Sequence, residues 1–137
     1  MRKKTVYVPM VADIIHEGHI NILNVSKKLG YVIVGLFTDE AVATYKKPTF
    51  LEFEKRKTIL KNLKQVDKII PQKSKDYIPN VKKIKPDFVV HGDDWKKGPQ
   101  SYERQRLREN LKKRGGKIID IPYTKNISSS SLFKHSD

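Results

Sequence analysis

The stretch YVIVGLFT, residues 31–38, limits the fold of this chain more than any other. It is a continuous run of β-branched, aromatic and apolar residues, broken only by Gly35, with no polar alternation. Such a run reads as a strand covered on both faces. Strands of that kind belong to parallel sheets, which need a crossover segment, usually a helix, between strands. The rest of the chain supplies them. TVYVPMV (5–11) reads as a first strand. It is followed by Ile20, Leu23 and Leu29 at helical spacing and by Gly30 as a C-cap. TDEAVATY reads as a short helix capped by Thr38 or Asp39, and LEFEKRKTILKNL as a longer one. VDKIIP, PDFVVHG and KIIDIP read as further strands. DYIPNVKKIK reads as a helix with Pro79 in its first turn, and GPQSYERQRLRENLKKRGG as a long polar helix closed by two glycines. ISSSSLFKH reads as the start of a last helix. This alternation predicts an α/β domain over residues 1–137, an open, mostly parallel sheet with helices on both faces.

Composition narrows the class. The chain has 137 residues and no cysteine, which excludes disulfides and thiolate metal sites. No apolar run is long enough to cross a bilayer, and MRKKTVYVPM has the charges but not the apolar core of a signal peptide. A cytoplasmic protein is expected. Lys and Arg number 29 against 15 Asp and Glu, a net charge of +14 that favours polyanionic partners: nucleic acid, anionic membrane or a phosphorylated small molecule. The lysines are dispersed in pairs, as in VSKKLG, NVKKIKP and NLKKRGG, a pattern that solvated helix faces also produce. No element concentrates basic and aromatic residues, so a nucleic-acid-binding module is the weaker reading.

In open parallel sheets ligands bind beyond the carboxyl ends of the strands. Every unusual motif here follows a strand: HEGH after the first, TDEA after the second, HGDDW after the fourth, and YTKNISSSS after the last. Two of the four histidines, His16 and His19, lie three residues apart where a helix begins, with Gly18 between them. A helix start presents free N–H groups and a positive dipole end. Gly18 allows close approach of a phosphate to the backbone, and two imidazoles can donate to its oxygens. A zinc-protease pattern would space the histidines by four, and no third ligand lies nearby in sequence.

HEGH in this setting resembles the H-x-G-H signature of the nucleotidylyltransferase superfamily, which has a Rossmann-like fold. YTKNISSSS resembles a second signature, R-T-E-G-I-S-T-T in the cytidylyltransferase branch, and HGDDW resembles a third segment of that branch. Within it, MVADIIHEGHINIL, VGLFTDEAVATYKK, KIKPDFVVHGDDWKKG and YTKNISSS are most similar to the cytidylyltransferase domains joined to phosphoenolpyruvate mutases in phosphonate biosynthesis. Glycerol-phosphate and phosphocholine cytidylyltransferases are similar but more distant. The resemblance implies that His16, His19 and Lys46 are catalytic. The histidines would hold the nucleotide phosphates and stabilise charge at the α-phosphorus, and Lys46 or Lys47 would bridge acceptor and α-phosphate. It implies that Asp93, Asp94 and Trp95 line the cytidine side. Ile127, Ser128 and Ser129 would bind the β- and γ-phosphates, and Asp13, Lys47 and Arg56 the acceptor. Relatives of this kind are often dimers, so a homodimer is expected, as is Mg2+ carried with the nucleotide; Asp13 is the one candidate metal contact.

The chain also departs from the pattern. Tyr123 stands at the signature arginine, with Lys125 as a substitute charge, and Asn126 stands at the signature glycine. MVAD replaces the usual G-T-F-D, keeping only Asp13, which gives a smaller and more apolar lining. The expectation is transfer of CMP from CTP to a compact phosphonate, 2-hydroxyethylphosphonate or 2-aminoethylphosphonate, or to a phosphate monoester. Glu52 and Glu54 keep the amine in play. An ATP-dependent adenylyltransferase and a glycerol-phosphate cytidylyltransferase are the alternatives. Nucleic acid and membrane are not expected as partners.

Overall fold

The computed structural model describes residues 3–96, 98 and 100–122. Its strands are β1 (Thr5–Met10), β2 (Tyr31–Phe37), β3 (Lys68–Gln72), β4 (Phe88–Gly92) and β5 (Lys117–Ile121). Its helices are α1 (Glu17–Leu29), α2 (Asp39–Ala43), α3 (Phe53–Lys61), α4 (Ile78–Ile84) and α5 (Ser101–Lys112), with a 3₁₀ turn at Asp93–Lys96. The strands form one sheet in the order β3-β2-β1-β4-β5. Every pairing is parallel, so the sheet is parallel throughout rather than mostly so. The expected final helix at ISSSSLFKH lies outside the described residues.

The sheet is covered on both sides, as the unbroken apolar strands require. Leu23 of α1 and Leu60 of α3 pack on one face, with Val6, Val8, Val32 and Val34. Val81 of α4 and Leu107 and Leu111 of α5 pack on the other, with Tyr7, Ile33 and Val89. In β2 every residue after Tyr31 is buried, which is why its sequence shows no period of two.

Two glycines are set by close approach. Gly30 does end α1, but with an extended φ of 160° rather than a left-handed one. A Cβ there would stand 2.1 Å from the Lys4 carbonyl oxygen, so the backbone of the chain entering β1 excludes any side chain. Gly35, inside β2, lies under the side chain of Tyr7, which crosses from β1. The Tyr7 hydroxyl donates to Gln72 on β3 and accepts from Asn80 on α4 at 2.9 Å. This buried polar group is thus satisfied across three elements.

The topology also fixes where a ligand can enter. From β1 the chain moves outward through β2 to β3, then returns to β4 on the other side of β1 and moves outward to β5. The β1–β2 register runs from Thr5↔Tyr31 to Met10↔Leu36. The β1–β4 register spans only Val6↔Phe88 and Tyr7↔Val89. Beyond Tyr7 comes Pro9, which has no N–H to donate. The strands therefore part toward their carboxyl ends, at the point where strand order reverses.

Replacing Gly35 with alanine would set a Cβ 1.9 Å from the Tyr7 hydroxyl oxygen. Overpacking of this kind is expected to lower the unfolding free energy by about 1–3 kcal/mol. Urea denaturation measures it, and an unchanged midpoint would contradict the Tyr7 placement.

Candidate active site

The segment between β1 and α1 carries the histidines to the mouth of this crevice. His16 is the N-cap of α1 and His19 its third helical residue. The Nδ1 of His16 accepts from the Gly18 N–H at 3.0 Å. The Nδ1 of His19 accepts from the His16 N–H at 3.2 Å. This is a capping box in which imidazoles replace the usual hydroxyl and carboxylate. The rings are tilted at 50° with centroids 4.2 Å apart.

The cap settles the chemistry of both rings. Each Nδ1 receives a hydrogen bond, so each proton resides on Nε2, and the two Nε2–H groups are left as donors. Protonating either Nδ1 would set a hydrogen against a backbone N–H. Electrostatics work in the same direction. Burial, then the charges of His16 and Lys46, lower the His19 pKa to about 4. Burial lowers that of His16, with Glu17 opposing. Two neutral donors over a helix N-terminus suit a phosphate group whose negative charge grows during reaction.

Lys46 lies beyond α2, near enough to His19 for its charge to act on the imidazole. Its own pKa is lowered by desolvation, with Asp13 opposing and Arg56 adding to the effect. Lys47 is exposed beside it. The Lys46 backbone N–H donates to the Val42 carbonyl, so the loop leaves α2 without a break in hydrogen bonding.

Arg56 is not placed as an acceptor clamp. Its side chain is 0% exposed. It donates to the carbonyls of Leu51 (2.9 Å), Val11 (2.8 Å) and Phe37 (2.8 Å), and to Asp39 Oδ1 (2.6 Å). That commits four of its five N–H groups within the protein. Asp13 is similarly engaged, accepting from the N–H groups of Phe50 at 2.7 Å and Leu51 at 2.8 Å. Asp39 also accepts from the Phe53 N–H and the Thr49 hydroxyl. Desolvation opposes its ionisation, but the Arg56 hydrogen bond, the Phe53 N–H and the Arg56 charge outweigh it and hold its pKa low. Thr38 caps α2 through its hydroxyl, at 3.1 Å from the Ala41 nitrogen. Asp39 is thus released for Arg56, a role that the sequence, seventeen positions away, does not signal.

Trp95 is likewise turned inward. It is 1% exposed and cannot offer a face to a nucleobase. Its indole N–H donates to Asp120 at 2.7 Å, and Arg104 binds the same carboxylate at 2.7 Å. His91 stacks on the indole at 3.9 Å and 12°. The His91 Nδ1–H donates to the Gly92 carbonyl at 2.8 Å. Its Nε2 is therefore free to accept from the Tyr77 hydroxyl at 3.3 Å. Trp95 is a packing residue that sets the base of the turn carrying Asp93 and Asp94. Asp94 is exposed and Asp93 half-buried. Ile127, Ser128 and Ser129 lie outside the described residues.

Among the described residues no three carboxylate or imidazole side chains converge as a metal cage. Both Asp13 oxygens accept from backbone N–H groups. No helix of the described residues is long and apolar enough to cross a membrane.

Comparisons with known proteins bear on the family and the fold. The profile of the family described as "Cytidylyltransferase-like" matches residues 10–134. The chain is 38% identical to the FAD synthase of Korarchaeum cryptofilum, over 96% of this chain and 90% of that one. It is 36% identical to the glycerol-3-phosphate cytidylyltransferase of Bacillus spizizenii, over 89% and 88%. It is also 36% identical to the FAD synthase of Ferroglobus placidus over 75% of this chain, but spans only 64% of that protein's length. Among solved structures, the lipopolysaccharide core biosynthesis protein of Thermoplasma volcanium superposes with a TM-score of 0.73 at 28% identity, covering 90% of this chain and 98% of that one.

The His19 assignment has a pH signature. Unfolded, His19 takes up a proton near pH 6.5; folded, it resists until about pH 4. Its contribution to stability is therefore complete above pH 6.5 and declines as pH falls toward 4. Imidazole NMR is expected to show a neutral Nε2–H tautomer at pH 6. A His19 titrating near 6.5 would contradict the cap.

Proposed function

The chain belongs to the cytidylyltransferase-like family, and from that premise we propose that it transfers CMP from CTP to a small phosphonate or phosphate monoester, releasing pyrophosphate. The observation that carries this reading is the pair of neutral imidazoles locked as donors at the start of α1.

The reaction needs little proton transfer. The acceptor is a dianion or monoanion near pH 7, and one of its oxygens attacks the α-phosphorus in line. The bond from that phosphorus to the β-phosphate bridging oxygen breaks, and the electron pair departs with pyrophosphate. Positioning and charge stabilisation carry the catalysis. His16 and His19 donate to the α-phosphate oxygens through Nε2. Lys46 neutralises the approaching acceptor against the α-phosphate, with Lys47 beside it. Asp93 and Asp94, at the mouth of β4, are assigned to the nucleoside. Ile127, Ser128 and Ser129 are assigned to the outer phosphates. Mg2+ would enter with the triphosphate and neutralise part of its charge.

The acceptor side is assigned to the edge that follows MVAD (10–13), where Met10 and Ala12 are buried in the core, and a compact substrate is the reading we favour. Without Arg56, the acceptor charge falls to Lys46 and Lys47, which suits a small monoester and lacks the bidentate geometry of a guanidinium. We assign 2-hydroxyethylphosphonate or 2-aminoethylphosphonate before a polyol phosphate. Similarity to a glycerol-3-phosphate cytidylyltransferase makes glycerol 3-phosphate the first competitor. Similarity to FAD synthases supports a second reading, adenylyl transfer from ATP to a phosphate ester. A homodimer and a cytoplasmic setting complete the proposal; sedimentation at the single-chain mass would remove the former.

Pyrophosphate release from each of four nucleoside triphosphates, with these acceptors in parallel, tests the reading by kcat/KM. The expected order is CTP over ATP and small phosphonates over glycerol 3-phosphate; the reverse order in either series rejects that half of the proposal. A second test separates the two roles of His16. Asparagine is a good N-cap and keeps the acceptor for the Gly18 N–H. His16→Asn is therefore expected to retain the thermal midpoint while kcat falls by roughly 10²–10³. His16→Ala is expected to lose a comparable kcat and in addition about 1 kcal/mol of stability. Near-normal turnover in both variants would remove His16 from catalysis.

A further inference from the structure

Two side chains that the family pattern assigns to the acceptor, Asp13 and Arg56, are committed to protein partners here, and with Asp39 they converge on one loop. Asp13 takes the N–H groups of Phe50 and Leu51. Arg56 takes the Leu51 carbonyl through Nε, while its NH1 joins the Val11 and Phe37 carbonyls. Asp39 anchors Arg56 and holds Thr49 and Phe53. At its other end, the Lys46 N–H is bonded to Val42. The segment 46–52 is therefore fastened at both ends, and its far end is tied directly to the β1–α1 segment that carries the histidines.

We infer that Asp13 and Arg56 are positioning residues that latch the 46–52 loop and so carry Lys46 to the histidine pair. This rests on the function proposed above. A latch of this kind is needed because lysine has a long, flexible side chain, whose useful orientation depends on where its backbone is fixed. Lys46 is itself exposed, so the fixing of its backbone is what limits where its ammonium group can go. With Asp13 in place, the same carboxylate that fixes Phe50 and Leu51 lies three residues before His16. One side chain thus sets the spacing between the lysine and the donors. Arg56 adds rigidity, since a buried planar guanidinium tolerates one geometry for its four bonds.

A double-mutant cycle tests the inference. Asp13→Asn keeps the size of the side chain but can accept from only one of the two N–H groups. It is expected to lower kcat by roughly 10- to 100-fold, as misplacement of a catalytic group does, with KM for the nucleotide little changed. In the Lys46→Ala background the same substitution is expected to change kcat by less than about threefold, because the group being positioned is gone. Equal losses in both backgrounds would overturn the inference. Arg56→Lys should behave like Asp13→Asn.

Hydrogen exchange supplies a readout that does not depend on turnover. The Phe50 and Leu51 amides are expected to be protected in the parent chain and to exchange at least tenfold faster in Asp13→Asn, with the core strands unaffected. Unchanged protection would overturn the latch. Should the parent chain transfer no nucleotide at all, the proposed function would fail, while the exchange data would still decide whether Asp13 holds the loop.

Discussion

A buried guanidinium must find hydrogen-bond partners, and the Arg56 side chain, with no exposure, finds them at the carboxyl edge of the sheet. Its bonds reach the end of β1 at Val11, the end of β2 at Phe37, the start of α2 at Asp39 and the loop at Leu51. Val11 opens the β1–β2 crossover, whereas Phe37, Asp39 and Leu51 belong to the start of the β2–β3 connection. Leaving any of them unpaired would expose a buried charge or carbonyl to an apolar surrounding, so the set holds together or fails together. The carboxyl edge of the sheet is thus organised by a residue that is itself buried.

The histidines show a second economy of the same kind. Each imidazole has two nitrogens with separate duties. Nδ1 completes the backbone hydrogen bonding of a helix end, which leaves the proton on Nε2 as a donor. Because the inner nitrogen is occupied, the tautomer is fixed before any ligand arrives. No reorganisation is needed at the moment charge develops.

Much of the architecture was legible in the sequence. The unbroken apolar runs gave the strands, and their alternation with helical patterns gave a parallel sheet with two covered faces. The described motifs HEGH, TDEA and HGDDW do follow the strands that the sequence suggested. Other features were not legible, for physical reasons. Gly30 reads as a helix cap, but its cause is the Lys4 carbonyl, a contact across twenty-six positions. Gly35 carries no local signal, since its partner is the Tyr7 ring. Arginine is rarely buried, so Arg56 looks like a surface ligand until its four partners are assembled. Trp95 shares its motif with two aspartates and looks like part of the same surface. Only the stacking of His91 and the bond to Asp120 reveal that it turns inward. Ile127, Ser128 and Ser129 rest on the motif alone, because they lie outside the described residues.

The hydrogen bonds at the two halves of the site differ in how far along the chain they reach. Those that set the imidazoles span two and three positions. Those that tie the opposing loop to the β1–α1 segment span 37 and 38. Local contacts close with little loss of chain entropy, whereas distant ones form only after the sheet has brought their strands together. The paired imidazoles can therefore form almost as a peptide motif, whatever is substituted elsewhere. The Asp13 attachment of the loop depends on the whole fold and shifts whenever distant packing shifts.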